Sequence, residues 1–167
     1  NGYHIFYTPH ASVYHYHGIN HGGKVDRAEK IVSIIENLEG TPISLSKLIV
    51  DKLNIIGIIP IKGSPTTFES KNLLVESIKY LKSCELISDV YVSTDNEDTA
   101  LVAKNNGALA PFIRPIELSA TNVSLADVLK YTIEEIENLR NVDLAVIVEE
   151  NYPFRPTGLL SKLIYNI

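Results

Sequence analysis

The sequence predicts an α/β protein: a mostly parallel sheet with helices on both faces, preceded by a small β/α segment. Three observations predict it. The run 55–60 is unbroken and largely β-branched, as in a strand buried on both faces. Strand and helix patterns then alternate to the end of the chain, which implies parallel strands joined by helical crossovers. Polar residues collect directly after the strands, at the carboxyl edge where sheets of this kind bind ligands.

The first block opens with "YHIFYTPHASVYHYHG", which has strand-like composition, and alternation over 12–17 places Val13, His15 and His17 on one face. A helix follows. Asp26 and Glu29 have the form of a capping box, Ala28, Ile31, Val32, Ile35 and Leu38 recur at helical spacing, and Gly40 suits the position after the end. Residues 41–52 read as a linker, so the chain divides into 1–45 and 46–167. In the second part, 73–82 is a helix, 89–94 a strand, and 98–106 a helix capped by Asp95 or Thr94 and stopped by Gly107. A short strand at 108–112 comes next. Ser124 then opens a helix whose inner face carries Leu125, Val128, Leu129, Thr132, Ile133, Ile136 and Leu139. The strand 142–148 and the helix 157–165 complete the pattern.

Composition narrows the function. A net charge of −5 without a Lys/Arg cluster argues against nucleic acid as a partner. The longest apolar run is too short to span a bilayer. A single cysteine, Cys84, excludes an intramolecular disulfide framework, and the expected compartment is the cytoplasm. Cys84 itself reads as a core residue. The chain starts Asn1-Gly2 and contains no methionine, which is expected of a piece of a longer polypeptide.

The loop after the first buried strand, "KGSPTTFESKN", has neither the P-loop nor the dinucleotide fingerprint. It does place Lys62 and Gly63 just past the strand and Lys71-Asn72 where the next helix begins. Gly63 allows close backbone approach, the two lysines can flank a triphosphate, and a helix N-terminus favours anions. The alternative is a solvated loop whose lysines balance Glu69.

Motifs further along add to that reading. Pro60 to Thr66 with Lys71-Asn72, "VYVSTDNED", "VAKNNGA", "PFIRPIELS", "SLADVLKY" and "VIVEENYPFR" occur in the same order as motifs of the acylneuraminate cytidylyltransferase (CMP-sialic acid synthetase) family, which residues 54–160 resemble. The resemblance implies a Rossmann-like fold of the nucleotide-diphospho-sugar transferase type. It also implies a reaction in which the hydroxyl of an acidic nine-carbon sugar, or a relative, attacks the α-phosphate of CTP and pyrophosphate leaves, in surface glycan synthesis. By resemblance, Lys62 and Lys71 are the catalytic candidates. Lys62, Gly63, Ser64, Lys71, Asn72, Arg114 and Ser124 are the nucleotide-binding candidates, and Glu149, Asn151 and Arg155 the sugar-binding ones. Mg2+ as cofactor and a homodimeric parent protein are implied in the same way.

Departures from the family pattern fall on its loop. Lys62 replaces an arginine and loses the bidentate fork, and Pro65 removes a backbone N–H that would otherwise face a phosphate. Ser64 and Thr66 replace a glycine and a lysine, and Thr121 stands where the family often has Asp. Glu149 and Asn151 replace the family's Gln and Thr, and a glutamate repels an acidic sugar. The later segment that supplies the family's dimerisation arm and metal-binding Asp pair has no counterpart before Ile167. A catalytically inactive cytidylyltransferase-like module is therefore the alternative reading.

Residues 1–40 raise a separate expectation. His15 and His17 share a strand face at a spacing that suits two ligands of one metal, against the plain reading of a polar strand with hydrogen-bonded histidines. The segment "YTPHASVYHYHGINHGGKVDRAEKIV" resembles the closing part of family 2 glycosyltransferases. That resemblance implies a parent that both makes and uses an activated sugar, with residues 46–167 as scaffold in one version.

Overall fold

The computed structural model describes residues 50–166 and, earlier in the chain, two strands at 6–8 and 11–14. The helix expected from Asp26, the linker before residue 50, and His15 and His17 lie outside the described residues.

The elements are β1 (Phe6–Thr8), β2 (Ala11–Tyr14), β3 (Ile55–Ile61), β4 (Thr67–Phe68), β5 (Lys71–Asn72), α1 (Leu73–Lys82), β6 (Asp89–Thr94), α2 (Glu97–Asn105), a 3₁₀ turn (Ile116–Ser119), α3 (Leu125–Glu137), β7 (Leu144–Ile147) and α4 (Leu159–Ile164). Five strands form one sheet in the order β1-β2-β7-β3-β6. β3 pairs in parallel with β6 on one side and β7 on the other, while β2 joins β7 antiparallel. The sheet is mostly parallel around β3 and bears helices on both faces, as the sequence pattern predicts.

The run at β3 is apolar throughout because both of its faces are covered. Ile55, Ile59 and Ile61 point into a core shared with Leu74, Ile78 and Leu81 of α1, Ala100 and Ala103 of α2, and Leu160 and Ile164 of α4. Ile56 and Ile58 point the other way, against Leu129, Ile133 and Ile136 of α3. Gly57 faces α1, where an added Cβ would lie 2.8 Å from Leu81 Cδ1. The absence of a side chain there lets helix and strand approach.

A proline in a central strand needs a reason, since it removes a ladder donor. The Ile58 carbonyl accepts from Val148 N–H on the β7 side. Pro60, two residues on, points the same way, past the end of β7. The ladder with β7 ends at this point.

The same chemistry corrects the expected strand at 108–112. The segment makes only an isolated parallel bridge, Tyr91 to Leu109, with Leu109 N–H donating to Val90 O and Val92 N–H to Leu109 O. The next residue facing β6 is Pro111, which has no N–H to continue the ladder. α2 is capped by Asn96, whose side chain accepts from Thr99 N–H, because Asp95 and Thr94 are engaged elsewhere. The inner face of α3 ends at Ile136, and Leu139 lies beyond the helix in solvent. Cys84 is buried, as expected, though just past α1 rather than on it.

Gly57→Ala is expected to lower stability by about 1–3 kcal/mol through overpacking against Leu81. The midpoint of urea unfolding measures it, and an unchanged midpoint would show that Leu81 yields without cost.

Candidate functional site

β3, β6 and β7 run in parallel, so the loops that leave them open at one edge of the sheet. The chain passes from β3 to β6 on one side and then to β7 on the other. The order of the parallel strands therefore reverses between β3 and β7, the switch point at which sheets of this kind bind ligands.

The β3 loop is pinned on both sides. Gly63 has φ +65°, a left-handed conformation that glycine adopts without strain. Its N–H donates to Asp95 Oδ1 at 2.7 Å, and its carbonyl accepts from Thr99 Oγ1 at 2.7 Å. On the β7 side, Glu150 Oε1 accepts from both the N–H and the hydroxyl of Thr66, at 3.1 and 2.9 Å. Glu150 is 7% exposed, and its Oε2 has no partner among the described residues. Thr66 O then accepts from Leu73 N–H at 2.9 Å, which closes the β4–β5 hairpin onto the start of α1.

Arg114 sits beneath this loop, 4% exposed. Its Nη1 donates to Ser93 O at 3.0 Å, and its Nη2 to Ile61 O at 3.2 Å and Ser119 Oγ at 3.1 Å. The two carbonyls belong to the last residue of β3 and the penultimate residue of β6, so the guanidinium ties the ends of the two paired strands together. Burial pushes its pKa down, against the charge of Asp95. For Asp95, burial works to raise the pKa. The hydrogen bonds from the Ser119 hydroxyl, Gly63 N–H and its own N–H, with the charge of Arg114, outweigh this and hold it below the usual value.

The predicted residues divide into those that face solvent at this edge and those that hold the scaffold. Lys62 and Ser64 are exposed on the β3 loop, and Lys71 is exposed in β5 opposite Phe68. Asn72 caps α1, its side chain accepting from Val75 N–H at 3.2 Å. Ser124 caps α3, accepting from Asp127 N–H at 3.2 Å. Arg114 is inside the fold rather than in the crevice. Arg155 donates through Nη1 to Ser77 Oγ at 3.1 Å and through Nη2 to Glu149 O, and it lies 5.3 Å from the centre of the Tyr80 ring. Its charge is thereby directed at α1. Asn151 lines the crevice.

Two hollows open beside the loop. The smaller, of about 230 Å³, lies between Lys62 and the 3₁₀ turn, with Arg114, Ser119 and Val128 in its wall. The larger, of about 490 Å³, lies at the switch point between Thr66, Thr67 and Phe68 on one side and Asn151, Tyr152 and Phe154 on the other. Asp95, Glu150 and Ser119 were not among the predicted site residues. Asp95 was legible as the residue following a strand in "STD"; the reach of Glu150 back to Thr66, 84 positions away, was not. Among the described residues no group of three or more His, Cys, Asp or Glu side chains is placed to hold a metal ion.

No family model matches the chain, and no curated protein matches it. A solved structure does: CMP:2-keto-3-deoxy-manno-octonic acid synthetase complexed with CTP superposes with a TM-score of 0.56 at 15% sequence identity, over 68% of this chain and 46% of that one. At that identity the likeness shows the fold: the chain shares the α/β architecture of that synthetase. It spans less than half the length of that synthetase. Among the described residues no helix is long and apolar enough to cross a membrane.

Asp95 gives a pH prediction. Its folded pKa lies below the unfolded value, so the ionised carboxylate contributes stability above the unfolded Asp pKa, and that contribution is lost as pH falls through the folded value. Asp95→Asn is expected to be less stable than the parent at neutral pH. The gap in urea midpoints should narrow as pH is lowered below about 4. A gap independent of pH would show that the charge contributes nothing.

Proposed function

We propose that this chain is the nucleotide-binding part of a cytidylyltransferase that activates a sugar with CTP and releases pyrophosphate. The observation that carries the reading is the β3 loop: a left-handed glycine tied to Asp95 and Thr99 at the carboxyl edge of a parallel sheet, with exposed lysines on either side of the turn, in a fold shared with a CTP-bound synthetase. A loop held in this way presents its free faces without reorganising, which is what positioning a triphosphate requires.

In the reaction, a sugar hydroxyl oxygen bonds to the α-phosphorus of CTP, the hydroxyl proton is given up, and the bond to the departing pyrophosphate breaks. Lys62, Gly63 and Ser64 contact the phosphates and base, and Lys71 neutralises charge that develops on the leaving group. Asn72 positions the start of α1, and Arg114 and Ser124 act through the loop and helix they hold. Glu149 and Asn151 form the β7 side, towards the sugar, and Arg155 holds that segment against α1. The acylneuraminate cytidylyltransferases supply the finer version: an acidic nine-carbon sugar, Mg2+, a homodimeric parent and a role in surface glycan synthesis in the cytoplasm. Segments of the parent outside residues 50–166 would hold the metal.

One observation favours a second reading, a cytidylyltransferase-like module that binds without catalysing. Glu150 takes both donors of Thr66, and Pro65 has none, so two of the loop's backbone positions are closed to phosphate.

Calorimetry with CTP and Mg2+, paired with a pyrophosphate-release assay on the full-length parent, tests both. On the first reading CTP binds, pyrophosphate forms, and Lys71→Ala weakens binding about tenfold or more, the scale of one charge-assisted contact. CTP binding without pyrophosphate release favours the second. No CTP binding overturns both.

A further inference from the structure

The hairpin that carries Lys71 supplies an inference, and it rests on the reading just given. β4 and β5 form a two-stranded sheet of their own, apart from the main one, with Thr67 opposite Asn72 and Phe68 opposite Lys71. A two-stranded hairpin is marginally stable at best by itself. Its turn adds to the difficulty. Glu69 and Ser70 both take left-handed φ values, 47° and 64°. Two-residue hairpin turns call for such values, and asparagine and glycine are the residues that adopt them readily. In glutamate and serine the same backbone is strained. The hairpin therefore keeps its shape through contacts made outside it.

Those contacts come from the segment that follows β7. At the foot of the hairpin, Glu150 Oε1 accepts from the Thr66 hydroxyl at 2.9 Å and from the Thr66 N–H at 3.1 Å. Two donors converging on one buried oxygen fix both the backbone and the side chain of Thr66. Thr66 O accepts from Leu73 N–H at 2.9 Å, which carries that order across to the arm holding Lys71 and to the start of α1. Phe154 adds an edge-to-face contact with Phe68, the residue opposite Lys71, with ring centres 6.0 Å apart. Arg155 anchors the same segment through Ser77 of α1 and the Glu149 carbonyl.

We propose that Glu150 is a positioning residue for Lys71. Its side chain fixes Thr66, Thr66 fixes the foot of the hairpin, and the paired strands then set where the Lys71 ammonium stands beside the nucleotide's phosphates. Displacing a reacting or charge-neutralising group by about 1 Å can cost about a hundredfold in rate, so the hold on the hairpin matters as much as the lysine itself. Asn151, a sugar-side candidate, is the residue next to Glu150. One short segment thus supports both sides of the site.

Calorimetry with CTP and Mg2+ on the full-length parent tests this by a double-mutant cycle. Lys71→Ala and Glu150→Ala are each expected to weaken CTP binding about tenfold, and the double variant also about tenfold, because an absent lysine cannot be misplaced. Glu150→Gln keeps an acceptor oxygen at the same reach and should bind CTP within about twofold of the parent. Thr66→Val, at an exposed position, removes the hydroxyl bond without touching the buried side chain, and serves if Glu150→Ala does not fold. It should weaken CTP about threefold in the parent and leave the Lys71→Ala variant unchanged. Losses that multiply in either cycle overturn the proposal, since a merely structural contact acts independently of Lys71. A Glu150→Gln variant as weak as Glu150→Ala, or a Glu150→Ala variant that binds like the parent, overturns it too. In all these cases the nucleotide reading stands as long as Lys71→Ala alone weakens CTP. If the parent does not bind CTP, or Lys71→Ala binds it unchanged, that reading fails and takes the inference with it.

Discussion

The carboxyl edge of the sheet depends on one buried guanidinium. Parallel strands that twist apart leave carbonyls pointing into protein where the ladder stops, and each unpaired buried carbonyl costs about 1–3 kcal/mol. Arg114 covers Ile61 O and Ser93 O at once and fixes Ser119 with the same side chain. Lysine has one charged nitrogen where arginine has a planar fork, so it could not span the three acceptors with the same geometry. The ends of β3 and β6 are thereby held together beneath the loops that leave them.

From Arg114 the order passes outward. Ser119 connects it to Asp95, whose carboxylate is kept ionised and holds Gly63. Gly63 in turn carries Thr99 at the start of α2. The β3 loop is thus joined to β6, to the 3₁₀ turn and to α2 by side-chain hydrogen bonds. On the opposite side Glu150 does the same for Thr66. The loop behaves as a fixed rim between two hollows rather than as a mobile flap.

The two hollows differ in chemistry. The smaller is lined by Lys62, the buried Arg114, Ser119 and apolar side chains of the 3₁₀ turn and α3. The larger has aromatic and uncharged polar walls. The β3 loop separates the two. Their difference arises from topology: one hollow lies towards β6 and the turn, the other at the switch point towards β7.

Much of the fold was legible in the sequence, for identifiable reasons. The β-branched run at β3 can only be buried on both faces, and Leu73–Lys82 and Leu125–Glu137 show helical spacing bounded by Asn72 and Ser124, which do cap them. Of the candidate site residues, Lys62, Gly63 and Asn151 lie in loops that leave strands, and Lys71 lies in the β4–β5 hairpin. The misread elements, the short strand at 108–112 and the cap of α2, failed on single residues whose hydrogen bonds are decided by distant partners.

By itself the sequence determined the α/β class, the burial of β3, the starts of the helices and the loops that carry the candidate site. These follow from side-chain periodicity and local capping, which act over a few residues. Only the tertiary structure decided that Arg114 is a buried clamp, that Asp95 and Glu150 lock the loop, and that Arg155 turns towards α1 and away from the crevice. Those outcomes depend on hydrogen bonds between residues 32 to 84 positions apart. No local pattern encodes which of several polar groups will meet across such a distance; the packing of strands and helices brings them together.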